Sequence, residues 1–156
     1  MATRRYRAQT TAAFSYAANT TKTLVLVDAA ASREIAITEW GVSADGVTGA
    51  ALPLLVELCH VTMATSGTST SMTPTQTRGK VVASAHTAAH SFSVEPTVVT
   101  VISATYMTPN QPTLIVQLPV DGLIEGNLGD AVAIRVTNPT SGTTVNVRGY
   151  IEYEER

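Results

Sequence analysis

The sequence predicts an all-β fold: an antiparallel β-sandwich of jelly-roll type with about eight strands. Three observations predict it. Most apolar stretches alternate with a period of two, as half-buried strands must, because successive side chains leave a pleated backbone on opposite faces. Turn signals built from Gly, Pro, Asn and Asp recur at short intervals. No segment has the amphipathic pattern of the crossover helix that parallel strands usually need, so the strands pair antiparallel. A propeller or solenoid is disfavoured because no repeat of fixed period occurs. An immunoglobulin-type sandwich is disfavoured because the Cys, Trp, Cys spacing is missing in a chain with one Cys.

In chain order, residues 1–13 read as an N-terminal arm without periodicity, and residues 14–156 as one domain. Phe14 and Tyr16 begin a short strand, broken at Asn19 and Thr20. Lys22 to Asp28 is a strand apolar on both faces, as in the middle of a covered sheet. Arg33 to Thr62 is the organising stretch and reads as a pair of long strands joined by a connection that opens with Asp45-Gly46. In its first half Ile35 and Ile37 fall on one face, and Ala36, Thr38, Trp40 and Val42 on the other. In its second half Leu54, Val56 and Leu58 alternate with Leu55, Glu57, Cys59 and Val61. Pro53 marks the edge of the returning strand.

Residues 63–80 are rich in Ser, Thr and Gly and read as a long exposed loop. Val81 to His90 reads as irregular structure with at most one helical turn. Val98 to Met107 is β-branched almost throughout and is a strand. Leu114 to Leu118 follows after a Pro-Asn-Gln-Pro turn, and Val120 to Asp130 is a glycine-bearing loop. Ala131 to Thr137 turns Val132, Ile134 and Val136 one way and Arg135 the other. Thr143 to Tyr153 directs Val145, Val147, Gly149, Ile151 and Tyr153 inward.

Composition narrows the function. The chain has 156 residues, of which 14% are charged, and a net charge of −2. One core is enough at that length. A surface made polar by Thr, Ser, Gln and Asn suits contact with other protein. Only Arg4, Arg5 and Arg7 gather positive charge, too little for a basic face that neutralises several phosphates, so no nucleic-acid partner is expected. No apolar run approaches the ~20 residues of a membrane helix, and the N-terminus lacks the apolar core of a secretory signal. Neither a membrane partner nor a cofactor is expected.

The candidate chemical residues read mostly as structural. His86 and His90 would share a helix face as metal ligands do, but a third ligand is wanting and His60 lies far away in sequence. Cys59 reads as core filler. Glu152 and Glu154 read as a solvated strand edge that resists edge-to-edge pairing. Glu39 and Glu57 sit in apolar strands and need partners, with Arg33, Arg135 and Arg148 the candidates for an ion pair across the sheet. No catalytic signature appears, and the reading is of a protein that is not an enzyme.

Lys22 to Val27, Ala30 to Ser43, Asp45 to Val47 and Pro53 to Leu58 together resemble small proteins encoded among the structural genes of tailed bacteriophages. A weaker likeness runs through Leu114 to Pro119 and Val145 to Glu154. The resemblance implies a jelly-roll head decoration protein, bound as a homotrimer to the major capsid protein on the outer surface of the virion and made in the host cytoplasm. It further implies that the arm, with Arg4, Arg5, Tyr6 and Arg7, lies across the shell. The alternative is a receptor- or glycan-binding module of a tail or fibre, with Tyr106, Tyr150 and Tyr153 as platforms for sugar.

Overall fold

The computed structural model describes residues 4–29, 33–45, 52–64, 66–108, 113–119, 124–126, 131–139 and 143–156. Among them are thirteen strands: β1 (Arg4–Gln9), β2 (Phe14–Tyr16), β3 (Thr20–Asp28), β4 (Ile35–Ala44), β5 (Leu54–Thr62), β6 (Thr70–Met72), β7 (Thr75–Arg78), β8 (Thr87–His90), β9 (Thr97–Met107), β10 (Thr113–Gln117), β11 (Ile124–Gly126), β12 (Ala131–Asn138) and β13 (Val145–Glu155). They form two sheets. The first runs β10-β4-β13-β1-β7, with β11 beside β4 and β2 beside β13; the second runs β6-β8-β3-β12-β5-β9.

Eight of these strands make a jelly roll. The pairing is nested, β1 with β13, β3 with β12, β4 with β10 and β5 with β9, and every pair is antiparallel. A long hairpin of four strand pairs has been folded over on itself, which deals alternate strands to opposite sheets. The other five strands are three or four residues long, which accounts for a total above the eight expected.

The same topology corrects the organising stretch. β4 and β5 do not pair: β4 lies in the first sheet and β5 in the second. They face one another across the core, with Trp40 and Val42 on one side and Leu54, Val56 and Leu58 on the other, all buried. The connection after Asp45 falls outside the described residues. Strand β4 also departs from simple alternation. Glu152 of β13 stands opposite Glu39 and Tyr153 opposite Ile37, so Thr38 is an extra residue. This bulge turns Trp40 and Val42 to the same side as Ile35 and Ile37, where period two had placed them on opposite faces.

Within the expected N-terminal arm, residues 4–9 form a strand, while residues 1–3 lie outside the described residues. β1 lies inside the first sheet between β13 and β7. Tyr6 and Ala8 are fully buried, and Tyr6 stacks on Tyr153 with ring centroids 5.8 Å apart. The alternation Arg5, Tyr6, Arg7, Ala8 was a strand signal hidden among charges. The expected loop at 63–80 likewise holds β6 and β7, and Val81 to His90, expected to be irregular, ends in β8. These short polar strands extend the sheets by backbone bonds, which leave little trace in hydropathy.

The inward set expected for β13 is borne out: Val145, Val147, Ile151 and Tyr153 are all in the core. Gly149 is required there, since a Cβ would stand 2.5 Å from Leu24 Cδ2. On the outer face of the second sheet Leu26, Cys59, Val61 and Ala133 form a smaller cluster with Phe92. Cys59 is fully buried in it, and burial pushes its thiol pKa up, away from the reactive thiolate.

Candidate functional site

The outward side chains of the first sheet line up in rows across its strands, because cross-strand neighbours share a face. One row is Arg7 of β1, Glu152 of β13, Glu39 of β4 and Gln117 of β10. The next is Gln9, Tyr150, Gly41 and Ile115, and a third holds Arg148, Ser43 and Thr113. The face is therefore assembled from segments remote in sequence.

In the first row Arg7 donates to Glu152 at 2.8 Å and to Glu39 at 3.4 Å. Arg5 donates to Glu154 at 3.0 Å and Glu152 at 3.4 Å. The Tyr150 hydroxyl donates to Glu39 at 2.5 Å, and Gln117 donates to its other oxygen at 2.8 Å. Arg7 also lies over the Tyr150 ring, 4.4 Å from the centroid, while the ring rests where a side chain at Gly41 would be. Arg5 and Arg7 of the supposed capsid-binding arm are engaged in holding their own sheet. Glu152 is buried beneath them, which overturns its reading as a solvated edge: β13 is an interior strand.

The hydrogen bond from Tyr150 holds the Glu39 carboxyl below its usual range. Burial and the same bond push the Tyr150 phenol up to about 12. The linkage has two signs. Glu39 lends stability that is present above the ordinary carboxylate pKa and lost as pH falls through its lowered value. Tyr150 lends stability that is present below pH ~10 and lost as pH rises towards 12. Burial also raises the phenols of Tyr16 and Tyr153, so the alkaline loss is shared. Thermal melts from pH 8 to 12 should show the midpoint falling above pH ~10, by less in Tyr150→Phe than in the parent protein.

Other residues singled out in the sequence are placed plainly. Glu57 does pair across the sheet with Arg135, at 2.7 and 2.9 Å, whereas Glu39 uses Arg7, which was not among its expected partners. His86 sits edge-on to Tyr153, and His90 packs on Phe14 with ring centroids 4.6 Å apart; neither is on a helix. No group of three His, Cys, Asp or Glu among the described residues could hold a metal ion. Ser84, His86 and Glu155 do converge, but the Ser84 hydroxyl is 2.8 Å from both Glu155 and Tyr153. Tyr153 is buried and Arg7 lies over Tyr150, whereas Tyr106, the third candidate sugar platform, is 71% exposed.

The face of the sandwich that sequence reasoning missed is its open side. β9 ends the second sheet and β10 ends the first, and the two meet at a cleft lined by Tyr106, Met107, Thr113 and Leu114. Val99, Val101, Tyr106 and Ile115 are exposed there. The eleven residues of β9 include no charge and no proline. Bulges opposite Leu58/Cys59 and His60/Val61 bend its first half, while Ser103 to Met107 pair regularly with β5. The signal was available in the uncharged run from Thr97 to Met107, but alternation alone does not tell an edge strand from a central one.

Compared with family models, curated proteins and solved structures, the chain finds no match.

Proposed function

We propose that this chain is a structural protein of a tailed-phage virion, a decoration protein that binds the major capsid protein on the outside of the head as a homotrimer. The observation that carries the assembly part is the open β9–β10 side. Natural sheets blunt their edges with short strands, charges or prolines. The opposite ends of both sheets follow that rule with β6 and β7, three and four residues long. β9 follows it only in its bulged half, and Ser103 to Met107 remain as a regular uncharged template for a neighbouring strand. The head-protein part rests on the resemblance through Lys22 to Val27, Ala30 to Ser43 and Pro53 to Leu58, residues that include much of β3, β4 and β5. The arm has no place in this reading now that β1 is in the sheet.

A rigid sandwich with an exposed apolar rim suits a clamp. Each subunit that binds the assembled shell and not its separated pieces stabilises the shell by mass action. A cyclic trimer joins one patch to a different one on the next subunit, so β9 supplies one half of each contact. Light scattering on the purified chain should give the mass of a trimer, and mixing with empty phage heads should carry the protein into the pellet. Val99→Lys combined with Tyr106→Lys should give a folded monomer, since both positions are exposed and such surface changes rarely cost more than ~0.5 kcal/mol. A parent protein that is monomeric and stays in the supernatant would count against both the trimer and the capsid partner.

A further inference from the structure

We propose that a recess on the outer face of the first sheet binds a sugar acid, with Arg148 as the anchor for its carboxylate. The recess adjoins the β9–β10 cleft, with which it shares Thr113, and is a half-open hollow of about 340 Å³, lined by Gln9, Thr10, Ser43, Thr113, Arg148 and Tyr150 among others. That volume is at the lower end of the range for small-molecule sites. Gly41 also lines the recess, and the Tyr150 ring packs where a side chain at Gly41 would stand.

The charges on the face are unevenly satisfied. Arg5 and Arg7 are each held by two carboxylates. Arg148, next along β13, is exposed and has no carboxylate partner among the described residues. A guanidinium offers a planar fork that matches a carboxylate in two parallel hydrogen bonds. Arg148 stands opposite Ser43, and Ser43 opposite Thr113, with strands roughly 5 Å apart. Gln9 closes the recess from β1. None of the side chains of Gln9, Ser43 and Thr113 has a hydrogen-bond partner among the described residues.

This complement favours a sugar acid over the acidic side chain of another protein. An aspartate or glutamate would engage the guanidinium and leave an amide and two hydroxyls unused. A hexuronic acid carries a carboxylate together with several ring hydroxyls within one ring's width. Recognition here rests on hydrogen bonds and charge, because Arg7 already lies over the Tyr150 ring.

The test is a titration of ¹⁵N-labelled full-length protein with glucuronate, followed by amide shifts, with glucose, acetate and a glutamate-rich peptide in parallel. Glucuronate should give saturable shifts at Ser43, Arg148, Gly149 and Tyr150, and glucose and acetate should bind at least about tenfold more weakly. Arg148→Gln should weaken glucuronate by about tenfold or more while leaving the remaining amides in place, and Arg148→Lys should retain part of the affinity. Absence of saturable shifts with glucuronate, or equal binding by Arg148→Gln, would overturn the proposal. Saturation by the peptide with none by glucuronate would overturn it too, and would make the recess a contact for acidic protein.

Discussion

Replacing Trp40 by alanine should destabilise the protein by about 3–5 kcal/mol, the largest effect expected of any single core substitution here. Trp40 is 1% exposed and heads the fully buried side chains by volume. It reaches the core only because the bulge at Thr38 turns it there, and it packs in the layer between β4 and the second sheet. Removing the indole takes away transfer free energy and also leaves a cavity that strands held in two ladders cannot close. Domains of this kind are stable by about 5–15 kcal/mol in total, so a large part of that margin goes. At this chain length each kcal/mol moves the midpoint by about 2–4 °C, so a drop of roughly 10 °C is expected. Far-ultraviolet circular dichroism can follow it, since the variant has lost the chain's single Trp. A drop of only a degree or two would mean that position 40 is not at the centre of the core.

The bulge also shows where the sequence stops being legible. Strands that carry apolar alternation, such as Val145 to Tyr153 and Val132 to Val136, could be read directly, together with their inward faces. A jelly roll was readable as a class because helices are missing from the pattern and turns are frequent. Partnership was not readable. Period two says that β4 and β5 are strands, and it is silent on whether neighbours in sequence are neighbours in a sheet. An inserted residue such as Thr38 reverses the faces of everything beyond it, with no mark in composition. β1 was obscured because its outward positions are arginines whose carboxylate partners lie 32 to 149 residues away.

The outer face was invisible for that same reason. Glu39 and Glu152 meet only after β4 and β13 are placed side by side, and Arg7 joins them only once β1 is paired. Read alone, Glu39 is an acidic residue in an apolar strand and Arg7 a charge near a terminus. The expectation that a carboxylate in such a strand needs an arginine holds for Glu57, whose partner Arg135 is one of the three candidates. The partner of Glu39, Arg7, was not among them. The same pairing that uses up Arg5 and Arg7 leaves Arg148 available, so the recess proposed above depends on the corrected place of β1.

Glu155 should be the most costly charged residue to remove, by about 2–3 kcal/mol in Glu155→Ala. Its side chain is 2% exposed, at the end of β13. One oxygen accepts from the Ser84 hydroxyl at 2.8 Å and the Ala85 amide at 2.7 Å; the other accepts from Arg33 at 3.1 Å. The carboxylate therefore ties the segment before β8, in the second sheet, to the last residues of the first. Burial holds the nearby His86 pKa below its usual value, so the imidazole stays neutral near pH 7 and Arg33 supplies the countercharge. Without Glu155 the Ala85 amide is left without its acceptor, and Arg33 without its partner. Arg33 is 44% exposed and can turn to water, which keeps the expected loss below that of a fully buried pair. Glu155→Gln should lose less, because an amide oxygen can still accept from Ala85. Urea denaturation of the three proteins would separate the cases: a large loss in both variants assigns the effect to the charge, and a loss confined to alanine assigns it to the hydrogen bonds that join the sheets.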